Sequence, residues 1–127
     1  MNVEDQINPP KLVRSFRYAL YGIYHAVKYN QNMKVHILTS IGVVIASLLL
    51  HVNAFQMGIL GVMILLVLSA EMVNTAIEEM VDLITTERRM QAKIAKDVAA
   101  GMVLVTAFGS MIVGFLIFTP YVLKLFR

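Results

Sequence analysis

The chain has 127 residues, 58% of them hydrophobic and only 15% charged, with a net charge of +3 and a mean hydropathy of +0.72. That balance excludes an ordinary soluble domain of this size and points to a small integral membrane protein. The absence of cysteine removes disulfides, thiol catalysis and cysteine-based zinc or iron–sulfur sites, and the absence of tryptophan leaves interfacial anchoring to Tyr, Lys and Arg.

Residues 1–13 read as a flexible lead. The opening MNVEDQINPP is acidic and proline-containing and lacks the basic stretch that introduces a signal peptide, so insertion without a cleaved leader is expected. Pro9 and Pro10 mark a boundary before helix begins. Residues 14–30 then predict an amphipathic helix, because Phe16, Ala19, Leu20, Ile23, Ala26 and Val27 recur at spacings of three and four while Arg14, Arg17 and Lys28 mark other faces. Its basic, tyrosine-rich character favours the cytoplasmic membrane surface over the competing reading, a soluble helix packed on another protein.

Residues 35–52 are the first expected span, near the short end of what crosses a hydrocarbon core. His36 and His51 sit near its two ends and read as hydrated interfacial residues. The second span, residues 55–84, runs without a breaker for roughly 45 Å at about 1.5 Å per residue, so its carboxy-terminal part must enter the cytoplasmic interface. Thr85 to Lys96 form a basic polar connection, and the third span covers residues 97–119 ahead of Pro120. Its small residues, Ala99, Ala100, Gly101, Ala107, Gly109, Ser110 and Gly114, predict close helix approach. Lys11, Arg14, Arg17, Lys28 and Lys34 precede the first span, Arg88, Arg89, Lys93 and Lys96 separate the second from the third, and the 51–56 turn carries none. The positive-inside rule therefore puts the amino-terminal region and the 85–97 loop in the cytoplasm. Lys124 and Arg127 vote weakly the other way, but three spans from a cytoplasmic start require an external carboxyl terminus.

The chemistry is concentrated in the run SAEMVNTAIEEMVD. Glu71, Asn74, Glu78 and Asp82 fall within roughly 80° of arc at about 100° per residue, one polar stripe on a helix otherwise fit for lipid. Intramembrane carboxylates need a compensating partner, such as a divalent cation, a proton relay or a polar substrate. Glu71 and Glu78 lie about 10 Å apart along the axis, too far to share one Mg²⁺ on a single helix. They are therefore expected to do different jobs: the water-side carboxylate suits Mg²⁺ completed by phosphate oxygens and waters, and the deeper one suits a general base for an alcohol held in the bilayer. A polar seam that merely joins helices is the competing reading, and it is disfavoured because neighbouring spans offer no matching lysines. Lys96, followed by small residues, is a weaker signal for phosphate, and no glycine-rich phosphate loop is present. So short a bundle can barely enclose the stripe alone, which predicts homo-oligomerisation, with sites shared between protomers as one option.

The run from Glu71 through Asn74, Thr75, Ala76, Ile77 and Glu78 to Val81 and Asp82 resembles the signature of the prokaryotic diacylglycerol kinase family, and Lys96-Asp97 through Ala99-Ala100-Gly101 resembles its second motif. The likeness covers about residues 14–120. The stretches from Asn32 to His36, Val81 to Ile84 and Ala95 to Gly101 are most similar to its undecaprenol kinase branch. The resemblance implies a homotrimer of three-span chains, multi-pass in the bacterial cell membrane, that phosphorylates a lipid alcohol with ATP and Mg²⁺. It implies Glu71 as the base and as a contact to the lipid hydroxyl, Glu78 as the Mg²⁺ ligand, and Asn74 and Asp82 as site-ordering residues. It also implies Tyr18, Asn30, Glu78, Glu87, Arg88, Arg89, Lys96 and Asp97 around ATP, and Ala100, Asn32 and His36 near the lipid. The family pattern has a second metal-binding glutamate where this chain has Asn30. An amide oxygen can ligate Mg²⁺ without contributing charge, so weakened metal or ATP affinity, altered metal use or a silent derivative all follow as possibilities. Glu79, about 100° around the helix from Glu78, is badly placed to substitute.

The expectation is therefore an all-α integral membrane protein of a single domain, an amphipathic surface helix plus three transmembrane helices in a homotrimeric bundle. Its expected function is an ATP-dependent, Mg²⁺-using lipid kinase acting on undecaprenol, with no nucleic-acid partner. Diacylglycerol kinase is the alternative within the class. A silent family member and a small ion-conducting oligomer are the alternatives outside it, the latter at odds with the almost wholly apolar stretch from Phe55 to Leu68.

Overall fold

A single asparagine, Asn30, separates the first two helices. The computed structural model describes residues 9–126, which form α1 (Pro9–Tyr29), α2 (Gln31–Leu49), α3 (Ala54–Ile84) and α4 (Met90–Leu125), with no strand among the described residues. The expected lead at residues 1–8 lies outside them. Residues 9–13 belong to α1 and not to a flexible lead, because proline is tolerated in a first helical turn, where the missing N–H has no intrahelical acceptor.

Asn30 has extended backbone, and its side-chain oxygen accepts from the N–H groups of Asn32 at 2.8 Å and Met33 at 3.3 Å, so α2 begins at Gln31, four residues ahead of the expected span. The outer turn is a Schellman closure around a left-handed His51 with φ 53°: the Val52 N–H donates to Ser47 O and the His51 N–H to Leu48 O. Asn53 then caps α3, accepting from the Gln56 N–H at 2.9 Å. Helix α2 therefore stops at Leu49, and Val52 turns inward to pack with Leu60 and Ile117 in a small apolar core, flanked by Met57, Val113 and Phe118.

Helices α3 and α4 form the main packing pair, with α2 laid on α3 and α1 reaching both α2 and α3. The basic connection is shorter than the sequence suggests, residues 85–89, because α4 starts at Met90. Helix α4 also continues through Pro120, losing one backbone bond, and this brings Tyr121 to the outer turn. There its hydroxyl donates to Gln56 Oε1 at 2.6 Å and accepts from the Asn53 N–H at 3.2 Å. The expected small-residue packing is only partly used within one chain. Ala99 is buried, but a methyl group built at Gly101, Gly109 or Gly114 would meet nothing within 4 Å.

Three helices are long and apolar enough to cross a membrane, α2, α3 and α4. Their outward faces carry large exposed side chains, among them Leu38, Leu49, Leu104, Val105 and Phe115. In water this surface would be an aggregation liability; in lipid it is the solvated face. The protein is an all-α integral membrane protein.

Candidate active site

Helix α3 carries the acidic stripe without interruption, and exposure rises along it. Glu71 has 0% of its surface exposed and Asn74 4%, whereas Glu78 is half-buried and the Asp82 side chain is exposed. The order follows from the neighbours: Asn30, at the α1–α2 junction, covers Glu71 and Thr75 in the middle of α3, α1 reaches Glu79 through His25, and Asp82 lines the open cavity beside the loop.

Asn30 closes the site from the α1–α2 junction. Its Nδ2 donates to Glu71 Oε1 and to Thr75 Oγ1, both at 2.7 Å, while the Thr75 hydroxyl donates to the Glu71 backbone carbonyl at 2.9 Å. One turn on, Asn74 Nδ2 donates to Glu78 Oε1 at 3.1 Å. Two buried acceptors are left without a partner, Glu71 Oε2 and Asn74 Oδ1. An unpaired buried acceptor costs about 1–3 kcal/mol, and more on a charged group, so this pair marks a place that a donor from outside the chain would satisfy. Thr75 is a site residue that the acidic spacing alone does not single out. Its signal was available, since it lies one turn from Glu71 and extends the stripe on the same face.

Toward the loop lies a cavity of about 470 Å³ between the end of α3 and the start of α4. It is lined by Asp82, Glu87, Arg88, Arg89, Lys96 and Asp97, together with Thr85, Thr86 and Lys93. Most of these charges pair internally: Lys96 Nζ with Asp82 at 2.6 Å, Arg89 with Glu87 at 2.7 Å, and Lys93 with Asp97 at 3.4 Å. Arg88 has no ion-pair partner among the described residues. Four cationic groups face three carboxylates here, so a polyphosphate entering the cavity must take over cations now held by acids. Lys93 also lines the cavity, although the positive-inside rule alone accounts for a lysine in this loop region.

The remaining candidates lie elsewhere. Tyr18 is exposed on α1 under the Arg17 guanidinium and does not line the cavity. Asn32 is exposed in the first turn of α2, and Ala100 is exposed on α4. His36 lines a second, apolar groove of about 370 Å³ between α2, α3 and α4, together with Ser40, Leu60, Val67, Ser110 and Phe115. Glu79 points off the stripe and lies 3.5 Å from His25 of α1.

No group of three or more His, Cys, Asp or Glu side chains among the described residues is arranged to hold a metal ion. Mg²⁺ needs less, since one or two carboxylates plus substrate phosphates and waters suffice. Glu78 fits that requirement, half-buried beside the open end of the stripe. Asn30 does not fit it here. The expectation that it offers an oxygen to the metal meets a different geometry, because that oxygen is occupied by the two N–H groups at the start of α2.

Residues 17–118 match the model of the family described as prokaryotic diacylglycerol kinase, a span that contains the stripe, the loop cavity and Asn30. The chain belongs to the prokaryotic diacylglycerol kinase family. It is similar to the diacylglycerol kinase of Synechocystis sp., 40% identical over 117 residues that cover 91% of this chain and 67% of that one. It is also similar to the undecaprenol kinase of Bacillus subtilis, 38% identical over 110 residues that cover 87% of this chain and 89% of that one. The family makes the chain a membrane lipid kinase whose phosphoryl donor is ATP.

Proposed function

We propose that the protein is an undecaprenol kinase of the bacterial cell membrane, working as a homotrimer with its amino terminus and 85–97 loop in the cytoplasm. The observation that carries the site assignment is the buried Glu71 carboxylate, with one oxygen held by Asn30 and the other unpaired. A lipid hydroxyl donating to Glu71 Oε2 would satisfy that acceptor. Glu71 then takes the hydroxyl proton as the alcohol oxygen attacks the γ-phosphorus of ATP. The bond from that phosphorus to the β,γ-bridging oxygen breaks, ADP leaves, and the lipid carries the phosphate.

The loop cavity supports the ATP site, with Arg88, Arg89, Lys93 and Lys96 available to the phosphates and Glu87 and Asp97 orienting them. Mg²⁺ held by Glu78 would neutralise phosphate charge as it develops. Asn74 and Asp82 order the stripe by holding Glu78 and Lys96. The apolar groove beside His36 suits an isoprenoid tail, with Asn32, one turn ahead of His36 on α2, and Ala100 on α4 as further lipid contacts. The wide exposed apolar faces support assembly with further copies as well as contact with lipid.

Diacylglycerol is the second reading, favoured by the similarity to the Synechocystis enzyme. The test is transfer of labelled phosphate from ATP in mixed micelles containing undecaprenol or a diacylglycerol at equal mole fraction. Undecaprenol is expected to be the better acceptor by kcat/KM. Preference for the diacylglycerol would replace the substrate assignment, and transfer to neither would overturn the reading.

A further inference from the structure

Asn30 stands where the family pattern has a charged metal ligand, yet the structure gives it other work. It joins three helices at once: its backbone N–H donates to Ala26 O at the end of α1, its Oδ1 caps α2, and its Nδ2 reaches Glu71 and Thr75 of α3. The direction of the amide is set by its neighbours. On one side are two backbone donors, and on the other a carboxylate and a hydroxyl whose own proton goes to the Glu71 carbonyl. Turning the amide over would set oxygen against the carboxylate and NH₂ against N–H groups, so neither side tolerates the flip. Its oxygen is thus unavailable to a cation unless the α2 cap is broken.

We infer that Asn30 is a positioning residue for Glu71: it holds Oε1 by a charge-assisted hydrogen bond and leaves Oε2 as the single acceptor for the lipid hydroxyl. The inference rests on Glu71 being the base. In this chain the Asn30 oxygen is taken by the α2 cap, and Mg²⁺ would be held by Glu78 and the substrate phosphates. A hydrogen bond to one carboxylate oxygen restricts rotation of the group, so its loss misplaces the base without touching the nucleotide.

The test uses Asn30→Ser and Asn30→Asp, both of which retain a capping oxygen and remove the NH₂ donor. With the full-length enzyme in micelles, Asn30→Ser is expected to lower kcat about 10- to 100-fold with the KM for MgATP within about threefold of wild type. In a Glu71→Gln background the same substitution is expected to change kcat by less than about twofold, because its effect runs through Glu71. A signature independent of turnover is the infrared carboxyl or carboxylate stretch that disappears in Glu71→Gln, which should shift in Asn30→Ser without any ligand present. That band tests the contact even if lipid phosphorylation, and with it the base assignment, fails. An unmoved band, equal losses in both backgrounds, or a rise in the MgATP KM as the main effect would overturn the inference. So would Asn30→Asp raising activity and lowering the Mg²⁺ requirement, the result expected of a metal ligand.

Discussion

Two asparagines cap two membrane helices, and the difference between them separates structure from chemistry. Asn53, at the outer turn, caps α3 and gives its amide to Gln56 Oε1 at 2.8 Å, inside a neutral cluster closed by Tyr121. Asn30, at the inner end, caps α2 and gives its amide to a buried carboxylate whose other oxygen has no partner. The outer cluster leaves no buried polar atom unpaired and sits on the apolar core of Val52, Leu60 and Ile117. Around Asn30 the polar groups are more expensive and less complete, which is the signature of a site built for something outside the chain.

If that contrast is right, substitutions at the inner end should cost turnover and those at the outer end should cost stability. The largest effect among the supporting residues is expected for Glu78→Gln, which removes the carboxylate proposed to hold Mg²⁺. Its kcat/KM for MgATP should fall on the order of 100-fold, read by initial rates across an Mg²⁺ titration. Lys96→Met comes next. It frees Asp82 and removes a cavity cation proposed to meet the ATP phosphates, so the KM for ATP should rise about 10-fold while thermal stability moves by less than about 1 kcal/mol, since the pair is exposed. Smallest in activity is Tyr121→Phe, which breaks the outer cluster. Thermal unfolding in micelles should show a loss of about 1–2 kcal/mol with kcat within about twofold of wild type. A Tyr121 variant with normal stability and impaired turnover would erase the contrast between the two ends.

Much of this was legible in the residues. The apolar runs announce three spans, and the stripe is visible because helical spacing fixes which side chains share a face. A helix too long for the hydrocarbon core predicts that the stripe runs from membrane to water. The graded exposure from Glu71 to Asp82 is instead set by protein neighbours, Asn30 covering Glu71 and the loop cavity opening beside Asp82. What sequence could not show depends on contacts between elements. Whether the Asn30 oxygen meets a metal or a helix start is decided by the backbone turn between α1 and α2, which spacing does not encode. Thr75 gains meaning only once Asn30 lies beside it. Pro120 reads as a stop, yet α4 passes through it because tertiary packing at Tyr121 outweighs the lost backbone bond. The glycines of α4 suggest close packing that a single chain does not display.

Glu71, buried with one free oxygen, is the base proposed to activate the lipid alcohol. Its most direct test is the rate of phosphate transfer from ATP to undecaprenol by Glu71→Gln, measured beside MgATP binding and thermal unfolding of the same preparation. Expected are a loss of at least about 100-fold in kcat, nucleotide binding within about threefold of wild type, and stability close to it, because the glutamine keeps the shape of the side chain and an oxygen for the Asn30 amide. Wild-type turnover in Glu71→Gln would contradict it.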